Sequence, residues 1–321
     1  MMMTSSQVTT TAVSRLNKNN LANPMYPPLV YSNEYSCAWP SNHRFPMNKF
    51  YNLKEYLKRH SNYPENAFLT PSSPLNNPEL MEAVLAVHDK GYVERVMTNT
   101  LCDAEKRRIG LYFHEYDRLI PNRTLHEVGG TVLTCELALQ HGLSVNLAGG
   151  THHAHRDYGS GFCVVNDIAI SASYCMQKYT LQRILIFDLD VHQGDGTASI
   201  FKDNNNVYTV SIHCQDNYPF VKSISTIDVG LLPNSGDEEY IKTTRHTLDK
   251  ALAMSQPDLV IYDAGVDVSI DDALGRLSVT DEGIYNRDYL VLHTCVQRGI
   301  PVAAVVIYII YIYIILSLIH I

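Results

Sequence analysis

The chain has too little positive charge for a protein that binds nucleic acid directly. Its 321 residues include 25 lysine and arginine residues against 33 aspartate and glutamate residues, so the formal net charge is −8. Proteins that bind nucleic acid gain affinity by releasing counterions with a basic stripe, and this sequence contains no such stripe. We therefore expect no direct contact with nucleic acid.

Cysteine is also scarce, and its spacing fits neither a disulfide framework nor a zinc ribbon. The seven cysteines are scattered, odd in number and include no Cys-x-x-Cys pair. Scattered thiols are typical of proteins in a reducing compartment. We therefore expect the protein in the cytoplasm or the nucleus.

The N-terminal segment lacks acidic residues and is rich in serine, threonine and asparagine over the first 33 positions. Such a composition buries too little apolar surface to fold, so residues 1–27 are predicted to be a disordered tail. No apolar core follows a basic start, which excludes a secretory signal. An organellar transit peptide is the weaker alternative, because such segments usually carry more arginine.

The C-terminal segment is almost wholly apolar over residues 302–321 and is long enough to span a bilayer. However, the Ile/Tyr alternation over 307–315 is what an alternating A/T nucleotide repeat encodes. Residues 316–321 match one reading frame of a common sequencing adapter. We therefore expect residues 307–321 to be a non-native tail, and we do not expect membrane insertion.

Between these segments, short apolar runs alternate with longer segments of helical spacing. The predicted strands are 143–148, 183–187, 206–212, 259–262 and 301–306, and the predicted helices are 131–141, 166–178, 238–254 and 280–298. This alternation predicts an α/β fold, with one domain over residues 28–306 that has a mostly parallel central sheet and helices on both faces. Ligands bind beyond the carboxyl ends of the strands in such sheets.

The densest polar cluster follows the apolar run Ile184–Phe187. Asp188, Asp190 and His192 recur at i, i+2 and i+4, so extended geometry would place all three on one face. Two carboxylates and an imidazole are costly to bury unless a cation binds them. Oxygen and nitrogen ligands of this kind suit zinc, so the cluster predicts a metal site.

Two further strand ends carry polar side chains, His152 and His153 after one strand and Asp267 after another. Asp190, His192 and Asp267 make three ligands and leave one coordination position open, as in catalytic zinc sites. The two adjacent histidines are suited to proton transfer near neutral pH.

Two carboxylates, Asp188 and Asp195, remain near the two histidines and indicate two orienting pairs. For Asp195 the alternative is a helix N-cap after the turn at Gly194. Gly149 and Gly150 would allow the backbone to turn tightly beside the site.

These motifs resemble those of the histone deacetylase family, which has the arginase/deacetylase fold. The resemblance covers about residues 28–306, and the matching segments are 43–46, 87–96, 107–110, 149–153, 159–167, 188–195, 264–267 and 274–277. The arginine pair at 107–108, His192-Gln193 and the segment 274–277 are more similar to the class IV and bacterial branch than to class I.

The resemblance implies a zinc-dependent hydrolase that removes acetyl or other acyl groups from lysine side chains of histones or other proteins. It implies that zinc binds to Asp190, His192 and Asp267. It also implies that His153 is the principal general base, paired with Asp195, and that Asp188 supports His152.

The resemblance further implies a substrate channel and a structural cation. Gly161 and Phe162 would line the acyl-lysine channel, with Tyr218 facing Phe162; the alternative for Tyr218 is a core aromatic residue. A structural potassium ion would bind to Asp188, Ser211 and carbonyl groups near Asp190, His192 and Ile212.

One family feature is missing from the sequence. In the family, the strand equivalent to 301–306 is followed by a glycine-rich loop with a tyrosine that polarises the substrate carbonyl. Here residues 307–310 contain no glycine, and neither Tyr308 nor Tyr311 is assigned that role. Losing one such donor typically costs about 10²–10³ in rate, and the catalytic domain is expected to be incomplete at its C-terminus.

Three other functions fit part of the pattern. The same site could hydrolyse a small amide such as an acetylpolyamine. A two-manganese ureohydrolase is disfavoured, because His152 and His153 stand where a second metal would need carboxylates. Without the tyrosine loop, the chain could also be an inactive fragment or binding module.

Overall fold

The computed structural model describes residues 27–60, 66, 68–112 and 114–305. The predicted non-native tail at 307–321, including Tyr308 and Tyr311, lies outside the described residues, as does the predicted disordered tail except for Pro27. None of the described helices is long and apolar enough to cross a membrane.

Eight strands form one central sheet within the described residues, and every pair of neighbouring strands is parallel. The strands are β1 (Leu29–Val30), β2 (Phe68–Leu69), β3 (Leu143–Asn146), β4 (Ile184–Asp188), β5 (Val207–Cys214), β6 (Ile227–Leu231), β7 (Leu259–Asp263) and β8 (Val302–Val305). Their order across the sheet is β2-β1-β3-β8-β7-β4-β5-β6. The predicted parallel α/β sheet is confirmed.

The helices precede or connect these strands along the described chain. They are α1 (Lys49–His60), α2 (Pro78–Val87), α3 (Lys90–Met97), α4 (Asp103–Ile109), α5 (Ile120–His141), α6 (Asp167–Tyr179), α7 (Asp195–Phe201), α8 (Asp237–Ser255) and α9 (Asp281–Gln297). Crossover helices of this kind are what allow successive strands to run parallel.

The central strands are fully buried, and most of their residues are apolar. Every residue of β3, β4, β7 and β8 is buried, as expected for parallel strands enclosed by helices. The five predicted strands are found within two residues of their predicted ends. Three strands were missed, because β1 and β2 have two residues each and Asp228 and Gly230 interrupt the apolar pattern of the edge strand β6.

The predicted helices 166–178, 238–254 and 280–298 are found within one residue at each end. The fourth, α5, begins at Ile120 rather than at 131. Gly129 and Gly130 lower the helix propensity of this segment, so the sequence pattern did not indicate the first half of α5. Close packing requires glycine at both positions. A Cβ at 129 would collide with the Ser72 carbonyl oxygen, and a Cβ at 130 would collide with the Tyr35 hydroxyl.

Candidate active site

The carboxyl ends of β3, β4 and β7 meet at a cavity of about 520 Å³. The predicted site residues among those that line it are His152, His153, Gly161, Phe162, Asp190, His192, Tyr218 and Asp267. The edge of the sheet where sequence reasoning placed the site is therefore where the structure brings these side chains together.

A tight turn after β3 presents the two histidines. Gly149 and Gly150 have φ angles of +92° and +80°, which side chains other than glycine rarely adopt. The buried carboxylate of Asp167 fixes this turn, because it accepts hydrogen bonds from the backbone N–H of Gly150 at 3.0 Å and of Thr151 at 2.7 Å. The predicted role of the glycines is confirmed.

His152 is surrounded by carboxylates. Its Nδ1 lies 2.7 Å from Asp188 Oδ2 and 3.6 Å from Asp263 Oδ2, and its Nε2 lies 3.8 Å from Asp190 Oδ1. Burial alone would lower the pKa of His152, but Asp188 and Asp190 outweigh burial and raise that pKa to about 9. These two carboxylates therefore favour the protonated imidazole.

His153 has a different environment. Its Nδ1 donates a hydrogen bond of 2.6 Å to Asp195 Oδ1, and the other oxygen of Asp195 lies 3.1 Å from His155 Nε2. Burial and the neighbouring charge of His152 lower the pKa of His153 to about 3. The imidazole is therefore neutral near pH 7.

Asp195 is the first residue of α7, and Gly194 is its N-cap, so the N-cap alternative for Asp195 is wrong. The Asp195 carboxylate instead faces the histidines. Burial alone would raise the pKa of Asp195, but hydrogen bonds from His153 and His155 hold it below its usual value. Asp195 is consequently ionised and orients His153.

Asp190, His192 and Asp267 form a group suited to a divalent cation. Each offers one ligand atom, and these atoms lie within 4.8 Å of one another. His192 Nδ1 lies 2.9 Å from Asp190 Oδ1 and 3.0 Å from Asp267 Oδ2. Burial and the charge of Asp267 raise the pKa of Asp190 to about 6. Two carboxylates and one imidazole beside a cavity fit a zinc ion with an open coordination position.

Asp188 lies apart from this group, so the expectation that Asp188, Asp190 and His192 share one strand face is wrong. Strand β4 ends at Asp188, whose Oδ1 accepts a hydrogen bond of 3.0 Å from the Asp190 N–H. The Asp190 Oδ1 in turn accepts one of 2.7 Å from the His192 N–H. These side chain–backbone bonds turn the chain, so that Asp188 faces His152 while Asp190 and His192 join Asp267.

The predicted channel residues border the same cavity. Gly161 and Phe162 have φ angles of +53° and +67°, and the Phe162 N–H donates to the Ile109 carbonyl at 2.7 Å. The Tyr218 ring lies 4.9 Å from the His153 ring, and its hydroxyl is hydrogen-bonded to the Ser160 hydroxyl. Tyr218 is partly exposed and lines the cavity, so it is not a core residue.

The residues of the predicted potassium site lie on adjacent strands. Asp188 and Ser211 are opposite each other in the β4–β5 register, and Ile212 follows Ser211. All three are buried, and the Ser211 Oγ lies 3.0 Å from His213 Nδ1. Potassium binding at this position stays a prediction.

Sequence reasoning missed three residues beside the site. His155 stands two positions after His153, a spacing that could have drawn attention to it. Asp263 is fully buried at the end of β7, and neither of its carboxylate oxygens has a hydrogen-bond partner among the described residues. The Lys49 ammonium lines the cavity 4.5 Å from the centre of the Phe45 ring. Asp263 directly follows the apolar run 259–262, as Asp188 follows 184–187, so its position at a strand end could have drawn attention to it, whereas no local pattern indicates Lys49.

Comparison with known proteins supports the same assignment. An uncharacterized protein of Picosynechococcus sp. is 45% identical over 281 residues, which cover 87% of this chain and 90% of that protein. Histone deacetylase 2 of Arabidopsis thaliana is 28% identical, with 85% of this chain and 72% of that protein covered. The acetoin utilization protein AcuC of Staphylococcus aureus is 30% identical, with 70% and 63% covered.

Solved structures share the fold. The HDA15 HD domain has a TM-score of 0.74 at 20% identity, with 92% of this chain and 88% of that chain covered. An HDAC homolog from Aquifex aeolicus also has a TM-score of 0.74 at 20% identity, with 92% and 82% covered. The fold is therefore the arginase/deacetylase fold. The model of the histone deacetylase domain matches residues 43–307, and the chain belongs to the histone deacetylase family.

Proposed function

We propose that this protein is a zinc-dependent hydrolase that removes acetyl or other acyl groups from lysine side chains of histones, other proteins or peptides. One observation carries the proposal: the group of Asp190, His192 and Asp267 borders the same cavity as His153, whose Nδ1 is held by Asp195. A metal-binding group and an oriented base beside one cavity are what amide hydrolysis requires.

Zinc held by Asp190, His192 and Asp267 would polarise the amide carbonyl and make a nearby water molecule more acidic. His153 carries its proton on Nδ1, as its hydrogen bond to Asp195 indicates, and so keeps a lone pair on Nε2. His153 Nε2 accepts a proton from the attacking water. The same nitrogen then donates that proton to the departing lysine amine.

His152 acts through its charge in this scheme. Its imidazolium lies between Asp188 and Asp263, and its ring centroid is 4.1 Å from that of His153. Burial and a positive charge at this distance together keep His153 neutral until the reaction delivers a proton. His152 therefore sets the basicity of its neighbour.

The cavity wall suits the aliphatic part of an acyl-lysine. Gly161 leaves room beside His153, since a Cβ at this position would lie 2.6 Å from the imidazole Cδ2. Phe162 and Tyr218 supply aromatic surface that packs against a methylene chain. A polyamine substrate is less well suited, because the lining of this cavity includes four exposed arginines against Asp216 and Asp272 at its mouth.

The potassium ion is part of the same proposal, with Asp188, Ser211 and the backbone near Ile212 as its ligands. We also propose a reducing intracellular compartment, based on the scattered cysteines. A slow rate would support the alternative of an inactive fragment or binding module, because residues 307–310 contain no glycine for a tyrosine-bearing loop.

Metal removal and return tests the proposed function. The chain is dialysed against a chelator, its metal content is measured, and release of acetate from an acetyl-lysine peptide is followed before and after one equivalent of zinc is added. We expect activity to disappear with the metal and to return with zinc. Full activity without metal, or hydrolysis of acetylspermidine in preference to the peptide, would contradict the proposal.

A matched pair of variants tests whether Asp267 binds the metal. Asp267→Asn removes one charged ligand, so we expect weaker zinc binding by calorimetry and a lower rate. Asp258→Asn changes an aspartate before β7 that does not line the cavity. Equal zinc affinity in the two variants would remove Asp267 from the metal site.

A further inference from the structure

The mouth of the cavity carries concentrated positive charge on a chain whose formal net charge is −8. Four exposed arginines contribute to its lining, namely Arg44, Arg107, Arg108 and Arg276. The acidic residues of the lining at the mouth are Asp216, which is exposed, and Asp272, which is partly buried.

Two of these arginines lie on the wall formed by Phe162. Arg44 precedes Phe45, whose ring centroid is 5.7 Å from that of Phe162. The backbone carbonyl of Arg108 accepts a hydrogen bond of 3.3 Å from the Gly161 N–H. The Arg108 guanidinium lies 4.7 Å from the centre of the Tyr158 ring, and Arg107 also contributes to the cavity lining.

The fourth arginine comes from the Tyr218 side. The Arg276 N–H donates to Asn217 Oδ1 at 3.1 Å, and the Arg276 guanidinium lies 3.5 Å from the Asp216 backbone carbonyl. Asn217 directly precedes Tyr218. Positive charge therefore borders the mouth on two sides.

These charges are not neutralised by the described parts of the protein. None of the four arginines forms an ion pair with a described acidic residue. The Asp272 carboxylate accepts hydrogen bonds from the backbone N–H groups of Leu274 and Gly275 at 2.7 and 2.8 Å. The Asp272 carboxylate therefore binds the backbone of its own turn and does not pair with an arginine of the mouth.

The rim also exposes apolar surface beside this charge. Phe220 lines the mouth with 87% of its surface exposed, and the neighbouring Val221 is 86% exposed. Adjacent large apolar residues at the edge of a cavity indicate contact with a polypeptide rather than with a small anion alone.

We propose that the mouth selects acyl-lysine segments in which acidic residues flank the modified lysine. The inference rests on the proposed function and adds a substrate class to it. An acyl-lysine carries no charge of its own, so flanking residues determine the electrostatic attraction between the peptide and the four arginines. Carboxylates on both sides of the acyl-lysine are attracted to the rim, whereas lysine-rich segments are repelled.

Three peptides test this directly. They share one acetyl-lysine and differ only in two flanking positions on each side, which are all glutamate, all glutamine or all lysine. Binding to the zinc-loaded full chain is measured by fluorescence anisotropy, and kcat/KM is measured in parallel. We expect the glutamate peptide to bind about tenfold more tightly than the glutamine peptide, and the lysine peptide to bind most weakly.

Changes in ionic strength and reversal of the arginine charges test whether electrostatic attraction causes the preference among the peptides. The preference should shrink between about 0.05 M and about 0.5 M salt, because exposed charges are screened. Arg44→Glu combined with Arg107→Glu should reverse the order of the peptides. Arg245→Glu, a change of the same sign at an exposed position of α8 outside the cavity lining, should leave the order unchanged.

The outcomes distinguish the two proposals. If the three peptides are hydrolysed with equal kcat/KM and bind equally, the charge preference is overturned while the deacylase function stands. If the lysine peptide is preferred, the charge preference is likewise overturned. If none of the peptides is bound or hydrolysed by the zinc-loaded chain, the deacylase function itself fails.

Discussion

His152 and His153 are adjacent in the sequence, and their ring centroids are 4.1 Å apart, yet their surroundings differ sharply. His152 has three carboxylates within 3.8 Å of a ring nitrogen, from Asp188, Asp263 and Asp190. His153 contacts one carboxylate, that of Asp195. Accordingly, the pKa of His152 is raised to about 9 and that of His153 is lowered to about 3.

The difference shows how two adjacent histidines can have opposite pKa shifts, one toward the charged imidazole and one toward the neutral imidazole. Both histidines are buried, and burial alone disfavours the charged form of each. The charges of Asp188 and Asp190 favour the protonated form of His152, whereas burial, together with the charge of His152, favours the neutral form of His153. Titratable groups whose environments push their pKa values apart are typical of acid–base sites.

The strongest test of this comparison removes one imidazole at a time. His153→Ala should lower kcat about 10³-fold, because it removes the nitrogen that accepts and returns the proton. His152→Ala should lower kcat less, because His153 and Asp195 remain. Acetate release from an acetyl-lysine peptide is measured for both variants, with zinc content and circular dichroism as controls. A larger loss for His152→Ala would reverse the assigned roles.

The next effect concerns the carboxylate that His153 contacts. Asp195→Asn should lower kcat/KM about 10²-fold, since the amide holds the imidazole without a negative charge. His155→Gln removes only the second imidazole on Asp195, so we expect less than about a threefold change. The pH dependence of kcat/KM should shift for Asp195→Asn. Equal losses in the two variants would mean that Asp195 has a general structural role.

The smallest effect concerns stability. Burial and the charges of Asp188 and Asp190 raise the pKa of Asp263 well above its usual value. The folded chain then binds a proton that the unfolded chain releases above its ordinary pKa of 3.8, so this group makes stability fall as pH rises above that value. Asp263→Asn should remove this cost and raise the free energy of unfolding at pH 8 by about 1–2 kcal/mol.

Urea denaturation at pH 5 and pH 8 measures this change, and the gain should be smaller at pH 5. A variant that is equally destabilised at both pH values would contradict this account of Asp263.

The sequence predicted the parts of the molecule where a pattern is local. The run Ile184–Phe187 and the spacing of α6, α8 and α9 were sufficient to place a parallel sheet and its helices. The motifs after β3, β4 and β7 indicated which side chains meet, since parallel strands end at one edge. The fold and the main site residues were therefore accessible from the sequence.

Contacts that depend on how the chain turns were not accessible. The separation of Asp188 from Asp190 follows from hydrogen bonds between side chains and backbone after β4. The approach of Asp263 to His152 joins residues more than 100 positions apart. The positive charge at the mouth comes from helix α4 and from two loops that are distant in the sequence, so the net charge of −8 for the whole chain gave no sign of it.

The position of β8 has a consequence for how the site is assembled during synthesis. This strand lies between β3 and β7, so it joins β2-β1-β3 to β7-β4-β5-β6. Its pairing with β3 joins Leu143 to Val302, and such distant contacts form late. Before Val302–Val305 leaves the ribosome, the two parts of the sheet present open edges to each other.

The metal-binding group and the histidine pair belong to different parts of that divided sheet. Asp190, His192 and Asp267 follow β4 and β7, whereas His152 and His153 follow β3. Before β8 pairs, the contacts of His152 with Asp188 and of His153 with Asp195 join the histidine loop to the end of β4, but no strand pairs with both β3 and β7. Four residues, Val302–Val305, complete the sheet beneath both groups.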